Sequence, residues 1–160
     1  MDEYPISICK AEPEALPAVL DILSAVGLPH DGVVEHLSGF LLAKAEASRI
    51  AGCIGLEMHG ELGLLRSAAV LPEYQGRGVG YKLTSRLLEI AREQGITEIA
   101  LLTTTAASYF HDKFGFEQSE RSSYEDRLAA SPEWNLPRCS SASFMTLKLD
   151  PARHASGERG

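Results

Sequence analysis

The sequence predicts an α/β fold with a mixed, mostly antiparallel sheet of about seven strands and about four flanking helices. Two observations set that class. Residues 40–45, 50–58 and 62–70 are short apolar runs joined by tight turns, the signature of an antiparallel meander. Residues 62–103 then read strand, long helix, strand, a βαβ unit whose two strands lie parallel.

Taken in order, Tyr4, Ile6 and Ile8 alternate with polar residues over 4–9, as a half-buried strand does. Over 12–26 the apolar positions Leu16, Val19, Leu20, Leu23 and Val26 recur at helical spacing, and Gly27 and Pro29 end that helix. Asp31 is placed to cap a short helix through Val33, Val34 and Leu37. The meander follows, with turns at Ser48 and Arg49 and at His59 and Gly60. Val79, Leu83, Leu87, Leu88 and Ala91 then form one helical face, closed by Gly95. Residues 99–103 read as a short apolar strand and 105–114 as a helix ended by Gly115, after which Phe116 opens another strand. The stretch 121–138 is polar, holds Pro132 and Pro137, and carries no assignable element. Phe144, Thr146 and Lys148 alternate with Met145, Leu147 and Leu149 in the last strand. No repeat or linker divides the chain. Residues 1–149 are therefore expected to form one domain, with 150–160 as a flexible tail.

Composition narrows the function. At 160 residues, 44% hydrophobic and 23% charged, the chain is long enough to bury its own core. A formal net charge of −7 argues against a phosphate-backbone binder, so no nucleic-acid partner is expected. The N-terminus lacks the basic and apolar regions of a signal peptide, and no apolar run reaches the ~18 residues of a membrane span. Cys9, Cys53 and Cys139 are scattered without a Cys-x-x-Cys pair and read as small buried hydrophobes in a reducing compartment. His36, His59 and His154 show no ligand-like spacing. The expectation is a cytoplasmic protein with no metal and no membrane partner.

The most informative segment is Gln75, Gly76, Arg77, Gly78, Val79 and Gly80, set directly between a strand and a strong amphipathic helix. Glycines let the backbone approach a bulky anion, and the first turn of a helix offers unpaired N–H groups and a favourable dipole. A pyrophosphate suits such a turn, and Arg77 adds a positive charge. A Walker A loop needs Gly-x-x-x-x-Gly-Lys-Ser/Thr, which does not occur. A Rossmann turn needs Gly-x-Gly-x-x-Gly and an acid ending the next strand; here the spacing is Gly-x-Gly-x-Gly and Glu98 begins that strand. A glycine-rich connection with no ligand remains the plain alternative.

Residues 65–80, reading LRSAAVLPEYQGRGVG, resemble the acetyl-CoA-binding signature of the GNAT N-acetyltransferases. That pattern is Gln/Arg-x-x-Gly-x-Gly/Ala, met by Gln75, Gly78 and Gly80 after a strand ending in Val-x-Pro. Residues 107–116 resemble the second motif of the same family, which ends in Gly-Phe, here Gly115 and Phe116. The likeness runs over roughly 5–149 and is strongest over 64–116. It implies the GNAT fold, in which the fourth and fifth strands splay to admit acetyl-CoA. Carried over, the pantetheine arm pairs with backbone at Ala68, Ala69 and Val70. The pyrophosphate sits on amides of Gln75, Gly76, Arg77, Gly78, Val79, Gly80 and Tyr81, and Thr104, Phe110 and His111 add further cofactor contacts. The Val70 N–H then stabilises the oxyanion that develops on the thioester, a role worth roughly 3 kcal/mol in other enzymes.

Acetyl transfer needs a base for the amine and an acid for the leaving thiolate. Glu57 is the candidate base, with a solvated edge carboxylate as the alternative. Many family members place a tyrosine acid four residues before the Gly of Gly-Phe; that position here is His111. Histidine can supply a proton near neutral pH, or it can simply pack against the cofactor. Arg66 shares a strand face with Ala68 and Val70 if alternation holds, and its guanidinium suits bidentate capture of a carboxylate. A surface arginine snorkelling to a nearby acid is the other reading.

The chain is also similar to a subgroup associated with arsenic-resistance operons and with phosphinothricin acetyltransferases. The shared pieces are 27–29, 55–57, 64–67, 101–106 and 139–142. That likeness implies acetylation of the α-amine of a small amino-acid-like toxin such as arsinothricin or phosphinothricin. Arg66, Glu57, His30 and Thr103 would line the acceptor pocket, although His30 can equally be an exposed loop residue. It also allows a homodimer mediated by the final strand. Competing functions are a CoA-binding sensor without turnover, an acetyltransferase for protein N-termini or lysines, and a dinucleotide oxidoreductase.

Overall fold

A computed structural model describes residues 6–132, 134–136 and 142–150. Seven strands form a sheet in the order β1 (Ser7–Lys10), β2 (Phe40–Lys44), β3 (Ile50–His59), β4 (Leu62–Val70), β5 (Glu98–Thr103), β7 (Ser143–Lys148) and β6 (Glu117–Gln118). β1, β2 and β3 pair antiparallel, as do β5 with β7 and β7 with β6. β4 and β5 pair in parallel, from Leu62 opposite Glu98 to Leu65 opposite Leu101. The helical crossover between those two strands requires that direction, so the mixed sheet expected from the sequence is the one found. β7 is hydrogen-bonded on both sides, by β5 and by β6.

The chain divides into two compact units, one of Met1–Leu56 with Arg66–Leu88 and one of Glu57–Leu65 with Glu89–Gly160. In the first, α1 (Leu16–Val26) begins four residues later than the apolar pattern suggests, because Pro13–Ala15 forms a 3-10 turn and Pro17 suits a helix's first turn. Gly27 ends α1 in a left-handed conformation at φ 76. The buried face of α1, Val19, Ile22 and Leu23, packs with Phe40, Leu42, Cys53 and Ala69. α2 (Val33–His36) is entered through Gly32 at φ 82 with no side-chain cap, so Asp31 does not cap it. α3 (Val79–Glu93) buries the expected face of Val79, Leu83, Leu87, Leu88 and Ala91.

In the second unit, α4 (Ala107–Phe114) ends at Gly115, and β6 is only a two-residue strand after the buried Phe116. The unassigned stretch holds a 3-10 turn, Arg121–Ser123, and a single-turn helix, α5 (Glu125–Leu128). Leu128 and Trp134 are buried with Leu62, Leu64, Ala100 and Phe144. The Tyr124 hydroxyl donates to Glu98 Oε2 at 2.5 Å, and Trp134 Nε1 donates to Glu125 Oε1 at 3.1 Å. Five α-helical segments thus stand among the described residues, two of them single turns. The readings made for Tyr4, for 137–141 and for the tail beyond Asp150 lie outside the described residues.

Candidate functional site

In the first unit the end of β4 runs through a 3-10 turn, Pro72–Tyr74, into the glycine segment and then α3. Gly76 and Gly78 adopt φ of 82 and 80, the left-handed region that side chains disfavour. No atom lies within 4 Å of where a Cβ would stand on either glycine. Backbone conformation therefore demands glycine here, and the space over the turn is open. Residues 75–78 are exposed, and the Gly78 carbonyl accepts the first helical bond, from Lys82 N–H at 3.1 Å. The N–H groups of the opening turn of α3 have no intrahelical acceptor, which is the chemistry an anionic group uses. The Gln75 side chain donates through Nε2 to the Val70 carbonyl at 2.9 Å, tying the turn back to the strand end. Beside the turn, the Arg49 and Arg77 guanidinium carbons stand 5.8 and 5.7 Å from the centre of the buried Tyr74 ring. Arg49 also meets Glu73 at 3.4 Å.

Arg66 is 1% exposed, so it does not snorkel to the surface. Its Nε donates to Ser67 Oγ at 3.0 Å. Ser67 itself has φ 58, which interrupts the regular alternation of β4. The inference that Arg66, Ala68 and Val70 share a face through alternation alone therefore does not cross Ser67. Ala68 is exposed, Ala69 buried and Val70 partly buried. The Cys53 thiol donates to the Ser67 carbonyl at 3.5 Å. Sequence reasoning missed Ser67, because nothing about a serine in an apolar strand signals left-handed backbone. His30 is in this unit too, exposed, with its Nε2 2.9 Å from Ser24 Oγ.

The second unit holds the other named residues. Glu57, near the end of β3, is fully buried, which overturns the solvated-edge reading. His59 lies two residues on, and its Nε2 is 3.0 Å from Glu57 Oε1. When Glu57 is ionised it only accepts, and His59 is then the donor through Nε2. Thr103 Oγ1 accepts from the Ala106 N–H at 2.9 Å at the approach to α4, and Thr104 is exposed. Phe110 is buried, its ring edge-on to Tyr109 and Phe116 at 5.3 and 5.6 Å. His111 is exposed on α4 and donates from Nδ1 to the Phe116 carbonyl at 2.9 Å. That bond fixes the tautomer and leaves Nε2 as the ring atom for proton exchange. Arg66, Ala68–Val70 and 75–81 thus belong to one unit, and Glu57, Thr103, Thr104, Phe110 and His111 to the other.

Residues 75–81 fit a cofactor pyrophosphate: 75–78 are exposed, Gly76 and Gly78 hold left-handed conformations with open space where a Cβ would stand, and a helix starts on the turn. Among the described residues no group of three or more His, Cys, Asp or Glu is arranged to hold a metal ion. No helix among them is long and apolar enough to cross a membrane.

Comparison with known proteins identifies the family and the fold. Residues 10–116 match the family described as acetyltransferase (GNAT). An uncharacterized N-acetyltransferase of Chlorobaculum tepidum is 24% identical over 99 residues, covering 61% of this chain and 62% of that protein. The amino-acid acetyltransferase of Mycobacterium tuberculosis is 32% identical over 73 residues, 45% of this chain and 41% of its own. The matches therefore span about three-fifths or less of these curated relatives. Among solved structures, N-acetylglutamate synthase from Neisseria gonorrhoeae, complexed with coenzyme A and L-arginine, superposes with a TM-score of 0.72 at 21% identity. It covers 92% of this chain and 34% of that one. The ribosomal-protein-S18-alanine N-acetyltransferase from Escherichia coli gives 0.69 at 19% identity, covering 92% and 96%.

Proposed function

Because the chain belongs to the GNAT acetyltransferase family, we propose that it is an acetyl-CoA-dependent N-acetyltransferase acting on the α-amine of a small amino-acid-like substrate. The observation that carries this is the exposed segment 75–78, with left-handed Gly76 and Gly78 leading into the start of α3. Its backbone N–H groups would hold the pyrophosphate, with Arg77 adding charge, while backbone of Ala68, Ala69 and Val70 would hold the pantetheine arm. Bound acetyl-CoA supplies an activated acyl group. The Val70 N–H would hold the thioester oxygen, Glu57 would take a proton from the acceptor ammonium, and His111 would hold a proton at Nε2 for the leaving group.

A buried arginine supports an anionic acceptor, since a guanidinium matches a carboxylate with two parallel hydrogen bonds. Arsinothricin and phosphinothricin carry such groups and are the acceptors this reading favours, in a single cytoplasmic domain able to form a homodimer. A second reading, acetylation of peptide N-termini, draws on the likeness to the Escherichia coli ribosomal-protein enzyme.

The test is thiol release from acetyl-CoA across arsinothricin, phosphinothricin, glutamate, polyamines and an alanine-terminated peptide. The amino-acid acceptors are expected to release thiol fastest. Activity on the peptide alone would overturn the substrate class, and CoA binding without thiol release from any amine would overturn the enzyme.

A further inference from the structure

Arg49 stands outside the glycine turn, yet backbone bonds fix its place against that turn. Its N–H donates to the Glu46 carbonyl at 3.1 Å and its carbonyl accepts from the Ala45 N–H at 2.7 Å, so the connection between β2 and β3 holds it on both sides. Two residues on, the Ala51 carbonyl accepts from the Leu71 N–H at 2.8 Å, and the Leu71 carbonyl accepts from the Tyr74 N–H at 2.9 Å. The guanidinium carbons of Arg49 and Arg77 lie 5.8 and 5.7 Å from the centre of the Tyr74 ring. Tyr74 is buried and serves as a fixed platform, whereas the Arg49 and Glu73 side chains are 57% and 55% exposed. Their contact, at 3.4 Å, is the kind of surface pair that contributes little and exchanges readily. Like charges over one ring also oppose each other, and a shared polyanion relieves that repulsion.

We infer that Arg49 selects the acyl donor: it exchanges the Glu73 carboxylate for the 3′-phosphate of coenzyme A while the glycine turn holds the pyrophosphate. In coenzyme A those two groups hang from the 5′ and 3′ carbons of the same ribose. A cation just outside the turn is therefore within reach of the second group once the first is seated. A phosphomonoester carries about two negative charges at neutral pH and more acceptor oxygens than the Glu73 carboxylate. A guanidinium forks onto such a group through two parallel hydrogen bonds. Donors that carry the pantetheine arm without this phosphate, such as dephospho-coenzyme A thioesters or acyl groups on a phosphopantetheinyl carrier protein, leave Arg49 with Glu73 and gain nothing from it. This rests on the reading of 75–80 as the cradle for the pyrophosphate of acetyl-CoA.

The test compares acetyl-CoA with acetyl-dephospho-CoA, by thiol release for KM and by titration calorimetry for Kd. The native chain is expected to prefer acetyl-CoA by about tenfold in both. Arg49→Gln is expected to reduce that preference to about twofold, with the loss falling on acetyl-CoA. Arg49→Lys keeps the charge without the fork and is expected to lie between the two. Glu73→Gln removes the competing carboxylate and is expected to tighten acetyl-CoA about threefold, with acetyl-dephospho-CoA within about twofold. Equal constants for the two thioesters in the native chain overturn the inference, as does a preference that Arg49→Gln leaves intact. Acetyl-CoA binding that Glu73→Gln does not tighten overturns the exchange. A chain that binds both thioesters alike keeps acetyl-CoA as its cofactor and loses only this inference, whereas one that binds neither loses both.

Discussion

Burial pushes the Cys53 thiol up from 9.0 to about 12, so at neutral pH it remains S–H, the form that donates to the Ser67 carbonyl. Three units fewer in thiolate character mean about a thousandfold less of the reactive form. In the native protein at pH 8, iodoacetamide is therefore expected to label the half-buried Cys9 and to spare Cys53, with Cys53 reacting only once urea unfolds the chain; mass spectrometry of the peptides reads the outcome. The Glu57–His59 pair makes a second residue-scale prediction. His59→Ala removes a donor from a buried carboxylate and is expected to cost about 1–3 kcal/mol in urea unfolding, while His59→Gln, which keeps an N–H, loses less. Arg66 and the glycines were legible in the sequence, because a lone guanidinium in an apolar strand and a glycine triplet before a helix are both chemical anomalies. Gln75 was legible as part of a motif, but its side chain braces the Val70 carbonyl, which spacing alone does not convey. Ser67 was invisible for the opposite reason: serine is unremarkable in a strand until its φ is known.

At the scale of elements, β4, the glycine turn and α3 emerged intact from periodicity, because the switch from period 2 to period 3.6 falls at the turn itself. Gly78→Ala forces a side chain into left-handed backbone and is expected to lower stability by about 1–2 kcal/mol. Since nothing crowds that Cβ, the fold should survive, and the diagnostic effect is a raised acetyl-CoA KM with the acceptor KM unchanged. The stretch 121–136 resisted the same treatment. A single-turn helix such as α5 is too short to stand on propensity. It is held by partners distant in sequence: Tyr124 on Glu98, Arg127 on Glu98 at 3.5 Å, and Trp134 against Phe144 with ring centres 5.1 Å apart. Burial and the hydrogen bond to Glu98 raise the Tyr124 pKa from its usual 10.0, so its hydroxyl stays a donor. The stabilisation from that bond is fully present below pH 10 and fades as pH rises through the folded value, an alkaline loss that Tyr124→Phe should remove.

Across the whole molecule, each compact unit owns a core. Leu23→Ala in the first and Leu64→Ala in the second, both at fully buried positions, are each expected to cost about 2–5 kcal/mol. The seven-strand class followed from counting apolar runs, whereas the division into two units did not, because β3 and β4 each run through both and carry no break in pattern. The chain as a whole is acidic, at −7, yet Arg49 and Arg77 gather at Tyr74 beside the glycine turn. For a polyanionic ligand arriving by diffusion these two facts pull in opposite directions. Distant negative charge is screened beyond roughly 10 Å at 0.1 M salt, while the paired arginines act at short range. Stopped-flow capture of acetyl-CoA should therefore slow as salt is added, and in Arg49→Gln that slope should flatten. The tyrosine ring that gathers the two guanidinium groups would then serve as a beacon, setting how quickly the cofactor is found.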